Sequence, residues 1–220
     1  MDKLINQTIA GRYVLEKKLD SGGMGSIYLA RDNLISKQVV VKNLHSFKRN
    51  EDNIERFRKE AEILKKLDHD NIVTIIDHQS WNDELFIVLE YLNGHSLQEK
   101  LKKRKNLSID EISNIYFQTL DALEAAHNQS VVHRDLKPSN IFCIPKTDTL
   151  DFIKILDFGI SITLDEDQDS RLTKTGEIIG TPIYLSPEQI TRKQKISYQS
   201  DIYSLGVILY EMFAGFPPRK

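Results

Sequence analysis

The octapeptide HRDLKPSN at residues 133–140 is the most informative segment of this sequence for its fold and chemistry. It places a carboxylate at Asp135, an amine at Lys137 and an amide at Asn140, directly after the apolar pair Val131-Val132, which predicts a short strand. Phosphoryl transfer uses these groups: a carboxylate orients the attacking hydroxyl and accepts its proton, a cation offsets charge on the phosphoryl group, and an oxygen ligand helps to hold Mg²⁺. The octapeptide therefore predicts a phosphoryl-transfer loop.

A second acidic motif follows in the chain. Asp157-Phe158-Gly159 comes after the apolar run 152–156, which predicts another strand. Asp157 is a hard oxygen ligand, and with Asn140 it predicts a Mg²⁺ site, because Mg²⁺ keeps several waters and uses few protein oxygens. The six histidines show no zinc-type spacing, which argues against a His/Cys metal site.

A glycine-rich segment, LDSGGMGSI at residues 19–27, lies between two predicted strands nearer the N-terminus. Glycines let backbone N–H groups approach phosphate oxygens, although a flexible hairpin turn explains this segment equally well by itself. Lys42 follows the apolar run Val39-Val40-Val41 in a predicted strand, and Glu60 lies on the apolar stripe of a helix predicted over 53–67. Because an inward carboxylate needs a cationic partner, we expect Lys42 and Glu60 to pair; the alternative is a lysine that extends to solvent.

The predicted elements are strand-rich first and helix-rich second. Strands are predicted over 12–19, 27–30, 38–44, 72–76 and 85–91. After Gly94, the capping box at residues 108–111 opens a long helix, and Ser200 is expected to cap a nearly all-apolar helix that runs to Phe213. The order predicts an α+β fold with a joint near Asn93-Gly94.

Composition argues against several function classes. The formal net charge of -2 gives no indication of a nucleic-acid partner. The longest apolar stretch, 202–216, is too short to span ~30 Å of hydrocarbon, so no membrane segment is expected within residues 1–220. A single cysteine, Cys143, excludes an internal disulfide and fits a reducing compartment, and we expect a cytoplasmic location.

Six motifs in this order resemble the signature of eukaryotic-type (Hanks-type) serine/threonine protein kinase domains: the glycine-rich loop, the strand lysine, the helix glutamate, HRDLKPSN, Asp-Phe-Gly and Ser186-Pro187-Glu188. The resemblance extends from about Tyr13 to Pro218 and is strongest to bacterial members. It implies a bilobal protein-kinase-like fold, with an N-lobe of antiparallel sheet plus one helix at 1–92 and a mainly helical C-lobe at 93–220. It also implies that the family's last helices are missing from this C-lobe.

The resemblance implies specific roles for the chemical groups. Asp135 would be the catalytic base, Lys137 would contact the γ-phosphate of ATP and mark Ser/Thr specificity, and Lys42, paired with Glu60, would bind the α- and β-phosphates. Leu89 is similar to the gatekeeper residue. The residues expected to contact ATP are Leu19, Asp20, Ser21, Gly22, Gly23, Gly25, Ile27, Val40, Lys42, Leu89, Glu90, Leu92 and Phe142.

Regulatory positions follow from the same resemblance. Arg134 would bind a phosphate on the activation segment, residues 157–188, and we expect autophosphorylation at Thr173, Thr175 or both, unless these are ordinary loop threonines. Thr181 would lie in the substrate-docking loop. Asp201 would hold the backbone of the catalytic loop.

Three substitutions depart from the family pattern. Asp20 replaces the first glycine of the loop, where a carboxylate would repel phosphates unless it points away. Val40 and Phe142 are bulkier than the usual residues above and below adenine, which predicts a tighter adenine slot.

The resulting function prediction is an ATP- and Mg²⁺-dependent kinase that acts on protein substrates, with self-association a possible route to autophosphorylation. One alternative is a truncated or pseudokinase-like binding or scaffold module with little activity. Another is a small-molecule phosphotransferase of related fold, although Lys137 and the segment 180–189 favour protein substrates.

Overall fold

The computed structural model describes residues 2–22, 25–44, 61–62, 64–82, 84–104, 106–147, 150–158, 182–191 and 196–218. The chain divides into two compact units, one formed by Met1–Asp68 with Thr74–Leu92 and the other by His69–Val73 with Asn93–Lys220. The predictions on Gly23, Glu60, Thr173, Thr175 and Thr181 lie outside the described residues. So does most of the helix predicted over 53–67, of which residues 61, 62, 64 and 65 are helical.

The first unit contains a six-stranded antiparallel sheet with the strand order β1-β2-β3-β4-β6-β5. Its strands are β1 (Thr8–Ile9), β2 (Tyr13–Gly22), β3 (Gly25–Asp32), β4 (Lys37–Leu44), β5 (Ile75–Trp81) and β6 (Glu84–Glu90).

One face of this sheet carries the core of the first unit. Side chains alternate between the two faces of a strand, so one set of positions from neighbouring strands packs together. This cluster is made of Ile9, Tyr13, Leu15, Tyr28, Ala30, Val39, Val41, Phe86 and Val88. Leu4 and Ile5 from the N-terminal segment pack against it. The opposite face of β3, β4 and β6 therefore presents the other set of side chains.

The second unit contains helices and a three-stranded sheet in the order β7-β8-β9. Its elements are β7 (His95–Ser96), α1 (Leu97–Lys103), α2 (Ile109–Asn128), β8 (Ile141–Ile144), β9 (Phe152–Ile155), α3 (Pro187–Thr191) and α4 (Tyr198–Ala214), with short 3-10 turns at Pro138–Asn140 and Pro182–Tyr184. Within the described ranges, no helix combines the length and apolar character that a membrane crossing requires.

The predicted capping box at the start of α2 is confirmed. Glu111 donates its backbone N–H to Ser108 Oγ at 3.2 Å, and Ser108 donates its N–H to Glu111 Oε2 at 2.9 Å. These bonds satisfy backbone donors that a helix start otherwise exposes. The apolar stripe of α2, which includes Ile112, Ile115 and Leu123, is buried.

Two strand predictions are wrong. Val131-Val132 is buried but joins no sheet, and Val131 donates its N–H to Ala126 O at 3.0 Å instead. The strand predicted over 72–76 actually covers Ile75–Trp81, while Ile72 forms an isolated parallel bridge with Ile155. β5 is an edge strand of its sheet, where polar residues are tolerated. Because of these polar residues, β5 lacks the apolar run by which the other strands were predicted.

The predicted cap of the last helix is also corrected. α4 begins at Tyr198 after the N-cap Ser197, so Ser200 lies within the first turn rather than before it. Ser200 donates its N–H to Ser197 O at 3.0 Å. The helix ends at Ala214, and its C-cap Gly215 has a φ of 77°, the left-handed conformation that glycine adopts at a helix C-terminus.

Candidate active site

The octapeptide 133–140 folds as an irregular loop whose backbone is held by the buried carboxylate of Asp201 from α4. Asp201 Oδ2 accepts the N–H of His133 at 2.8 Å, and Oδ1 accepts the N–H of Arg134 at 2.9 Å. Asp201 is 1% exposed, so both bonds lie away from water. The prediction that Asp201 holds the backbone of this loop is confirmed.

A histidine completes the contacts of Asp201. His127, in the last turn of α2, has its Nε2 at 2.8 Å from Asp201 Oδ2. Its ring stacks on Tyr198 with the centroids 4.7 Å apart. Sequence reasoning missed His127, because nothing in its local pattern separates it from an ordinary helix-end histidine.

His133 joins this loop to the segment that carries Asp157. Its Nε2 lies 2.9 Å from Leu156 O, and its ring lies 4.8 Å from that of Phe158. Leu156 also donates its N–H to Asn140 O at 2.8 Å. The structure thus brings the predicted motifs HRDLKPSN and Asp-Phe-Gly together through its described residues.

Two residues in these motifs have left-handed backbone conformations. Arg134 has a φ of 67° and Asp157 a φ of 59°. For residues with a side chain this conformation costs about 1–3 kcal/mol, and it persists where surrounding contacts enforce it. Such conformations cluster at functional sites because they aim side chains in directions that regular structure does not offer.

Two predicted catalytic residues, Asp135 and Lys137, lie together in the loop with the predicted metal ligand Asn140. Lys137 Nζ donates to Asp135 Oδ2 at 2.7 Å, and both side chains are partly exposed. Asn140 donates its Nδ2 to Asp135 O at 2.8 Å. Since that bond uses the amide nitrogen, the Oδ1 of Asn140 is the atom suited to a metal. Together with the carboxylate of Asp157, this oxygen donor set fits Mg²⁺.

In the first unit, four predicted nucleotide-binding residues share one face of the sheet. The register pairs Ile27 with Lys42 and Val40 with Leu89, and directly opposite residues point to the same side. This face is opposite to the one that carries the core cluster. Lys42 is buried there.

Known proteins resemble this chain over most of its length. A family model described as "Protein kinase domain" matches residues 13–220. The chain belongs to the protein kinase domain family. The predicted family and fold class are therefore confirmed.

Two relatives of this kinase domain are named serine/threonine-protein kinases. It is 40% identical over 220 residues to serine/threonine-protein kinase pkn3 of Myxococcus xanthus, covering 99% of this chain and 40% of that protein. It is 38% identical over 216 residues to serine/threonine-protein kinase PrkC of Bacillus subtilis, covering 98% of this chain and 32% of that protein. The chain thus spans less than half the length of these curated relatives.

Solved structures show the same protein-kinase fold. The PknI kinase domain of Mycobacterium tuberculosis matches with a TM-score of 0.76 and 25% identity, covering 98% of this chain and 77% of that one. Rad53 1-466 in complex with AMP-PNP matches with a TM-score of 0.77 and 25% identity, covering 95% of this chain and 50% of that one.

The glycine-rich loop of the kinase domain departs from regular pairing. The register between β2 and β3 shifts between Lys18 and Asp20, so Leu19 has no cross-strand partner in it. Asp20 Oδ1 accepts the N–H of Ser21 at 2.7 Å. The carboxylate therefore occupies a backbone donor of the loop that is predicted to contact phosphate. Gly22 pairs with Gly25 across the strands.

Gly25 is a position that only glycine fits. Its φ is 152°, and a Cβ there would lie 2.0 Å from Asn43 O. A backbone atom cannot give way as a flexible side chain would.

The predicted adenine-contacting positions lie on β4, on β6, beyond the end of β6 and on β8. Glu90 ends β6 and donates its N–H to Thr74 O at 3.1 Å. Leu92 lies two residues further on. Phe142 lies on β8, paired with Ser96.

The segment 182–191 of the kinase domain is fixed to α4. Tyr184 Oη donates to Glu211 Oε2 at 2.6 Å, and Ser204 Oγ donates to Tyr184 O at 2.7 Å. Burial, together with the hydrogen bond to Glu211, raises the pKa of Tyr184 above its ordinary value. Ser200 Oγ donates to Glu188 Oε1 at 2.5 Å.

Proposed function

We propose that this kinase domain transfers the γ-phosphoryl group of ATP to serine and threonine hydroxyls of protein substrates. One observation carries the proposal: the carboxylate of Asp135 and the amine of Lys137 lie 2.7 Å apart in a loop whose backbone is held by Asp201. Preorganised groups of this kind supply positioning and charge stabilisation, which account for most of the catalysis of phosphoryl transfer.

Asp135 acts as the general base in this proposal. The substrate oxygen forms a bond to the γ-phosphorus, the bond from phosphorus to the bridging oxygen breaks, and ADP leaves. The proton of the hydroxyl passes to the carboxylate of Asp135. Lys137 offsets the negative charge of the transferred phosphoryl group. Because its Nζ lies beside the carboxylate of Asp135, both side chains act on the substrate hydroxyl and the phosphoryl group it attacks.

Asn140 and Asp157 would hold Mg²⁺, which offsets charge on the phosphate oxygens when it is bound. The oxygen donors of these two side chains support this assignment, since Mg²⁺ prefers carboxylate and amide oxygens. The hydrogen bond from Asn140 Nδ2 to Asp135 O fixes which end of the amide faces a ligand.

The nucleotide would be bound by the residues predicted for it. Lys42, paired with Glu60, would contact the α- and β-phosphates. Val40, Leu89 and Phe142 would pack on adenine, and the backbones of Glu90 and Leu92 would hydrogen-bond it. The loop residues Leu19, Asp20, Ser21, Gly22, Gly23, Gly25 and Ile27 would cover the phosphates. The shared face of Ile27, Val40, Lys42 and Leu89 supports this set.

Regulation by phosphorylation is part of the proposal. Arg134 Nε is buried and has no hydrogen-bond partner among the described residues. A buried guanidinium nitrogen without a partner is costly, and a phosphothreonine supplies strong acceptors. We infer autophosphorylation at Thr173, Thr175 or both, by a second copy of the domain, with Thr181 near the docked substrate. The cytoplasmic location stays a prediction.

A direct test incubates the full-length protein with radiolabelled ATP, Mg²⁺ and a generic basic protein, followed by phosphoamino-acid analysis. We expect label on serine and threonine, and its loss in Asp135→Asn but not in the matched surface variant Asp121→Asn. Equal labelling by Asp135→Asn would contradict the proposal, and label on tyrosine alone would contradict its specificity. Intact-mass analysis after incubation should show added phosphate that maps to Thr173 or Thr175; an unchanged mass would refute autophosphorylation.

A further inference from the structure

We propose that Gln189 is a positioning residue that couples segment 182–191, which follows the substrate-docking loop predicted at Thr181, to the catalytic loop. Its side-chain amide is bonded at both ends. Nε2 donates to Arg134 O at 2.6 Å, and Oε1 accepts both the N–H and the Oγ–H of Ser186 at 3.1 Å. The inference rests on the proposed function, because it concerns how Asp135 is held for transfer.

The contact falls on the strained residue directly before Asp135. Arg134 has a φ of 67°, and its two backbone groups are bonded to side chains from two different elements. Asp201 accepts its N–H, and Gln189 donates to its carbonyl. Asp201 therefore holds the peptide group that enters Arg134, and Gln189 holds the peptide group that leads from Arg134 to Asp135.

The other end of the amide contacts Ser186 in segment 182–191. Ser186 is fully buried and precedes the first turn of α3, where Ile190 donates its N–H to Ser186 O at 3.1 Å. A displacement of Ser186 would pull Gln189 away from Arg134 O or break its bonds to Ser186. Gln189 therefore transmits the placement of segment 182–191 to the carboxylate that accepts the substrate proton.

The amide group is required because the two contacts need opposite chemistry. Arg134 O requires a donor, while the N–H of Ser186 requires an acceptor. A glutamate keeps the acceptor but opposes the carbonyl of Arg134 with negative charge. A lysine keeps a donor and loses the acceptor. A leucine of similar size loses both.

These three substitutions provide the test in the full-length protein. We expect Gln189→Glu and Gln189→Leu to lower kcat roughly 10- to 100-fold with the KM for ATP little changed, because a misplaced base costs rate rather than nucleotide binding. Gln189→Lys should retain at least about five times the kcat of Gln189→Leu, since it restores the donor to Arg134 O. Asp121→Asn, which alters an exposed side chain on α2 outside the site, is the control and should behave as wild type.

A second readout is independent of activity. Hydrogen exchange at the backbone of 131–137 should be faster in Gln189→Glu than in wild type, while exchange in β8 is unchanged. Wild-type kcat in Gln189→Glu and Gln189→Leu, a Gln189→Lys no better than Gln189→Leu, or a loss of rate that only follows a loss of folded protein would each overturn the inference. Should wild type transfer no more label than Asp135→Asn, the proposed function fails, and the exchange measurement alone then decides whether Gln189 holds the loop.

Discussion

The loop 133–140 of the second unit and the sheet of the first unit carry the proposed catalytic and nucleotide-binding residues, and they position these residues in different ways. In the loop, backbone groups of His133 and Arg134 are satisfied by side chains, namely the carboxylate of Asp201 and the amide of Gln189. In the sheet, Lys42 is placed by the strand register, in which backbone groups bond to one another.

This difference determines how sensitive each region is to a single substitution. A strand survives the loss of one side chain because its ladder of backbone bonds remains, whereas an irregular loop loses the partner of a buried N–H or C=O. We therefore expect polar substitutions to matter most around the loop. In the sheet, the sensitive positions should be those where the backbone itself is crowded.

The largest expected effect is at Asp201. Asp201→Asn would face the N–H groups of His133 and Arg134 with one oxygen instead of two, and would weaken the contact with His127. We expect the free energy of unfolding to fall by about 3 kcal/mol, measured by urea denaturation. The exposed Asp121→Asn should change it by less than about 0.5 kcal/mol. A free energy of unfolding of Asp201→Asn within about 1 kcal/mol of the wild-type value would contradict the claim that the loop depends on this side chain.

A backbone effect of nearly that size is expected in the sheet at Gly25. Gly25→Ala combines a φ of 152° with a Cβ 2.0 Å from Asn43 O, and we expect a loss of about 2–3 kcal/mol in the free energy of unfolding. Gly206 is the matched control, because a Cβ there meets nothing within 4 Å and α4 favours alanine over glycine. Gly206→Ala should raise stability by up to about 1 kcal/mol. Equal changes in the free energy of unfolding for Gly25→Ala and Gly206→Ala would contradict the claim that the hairpin of β2 and β3 requires glycine at position 25.

A smaller, pH-dependent effect is expected at Asp32. Its carboxylate accepts from Arg12 at 2.6 Å, and this bond, with the N–H of Leu34, holds the pKa of Asp32 below the usual 3.8. A lowered pKa contributes stability above pH 3.8 that is lost as the pH falls through the folded-state value. Asp32→Asn should cost about 1–2 kcal/mol at pH 7, since Arg12 is partly exposed, and the gap to wild type should narrow in acid. A stability difference between Asp32→Asn and wild type that stays constant with pH would show that the ion pair with Arg12 does not cause it.

The smallest expected effect concerns Asp20 in the glycine-rich loop. Asp20→Gly frees the N–H of Ser21 and removes a negative charge near the proposed phosphate site, so nucleotide should bind several-fold more tightly. Asp20→Asn removes the charge but keeps an acceptor for Ser21, and separates the two causes. Titration with a fluorescent ATP analogue at low and high salt measures both, because only the charge effect is screened. Weaker binding by Asp20→Gly would show that the carboxylate supports the loop rather than opposing the nucleotide.

Local sequence rules predicted the parts of the fold that depend on neighbouring residues. The capping box of α2, the alternating strands around Lys42 and the catalytic loop all follow from residues close in the chain. The same rule would have found α1, since Ser96 and Glu99 form a capping box that sequence reasoning overlooked. β7 was missed because two residues are too few to show a period.

The contacts that position the site were harder to predict. Asp201 was found only through the family resemblance, because its partners are 67 and 68 residues away in the chain. Gln189 reaches Arg134 across 55 residues, and a glutamine on a short helix carries no sequence signal of such a contact. Hydrogen bonds of this kind depend on tertiary structure, which periodicity and propensity do not encode.

The most direct test of the central claim compares nucleotide binding and single-turnover transfer in wild type and Asp135→Asn. If Asp135 is the base, Asp135→Asn should bind ATP with about the wild-type affinity and transfer its phosphoryl group roughly 10²- to 10⁴-fold more slowly. Transfer by Asp135→Asn at the wild-type rate would contradict the claim that this carboxylate accepts the substrate proton.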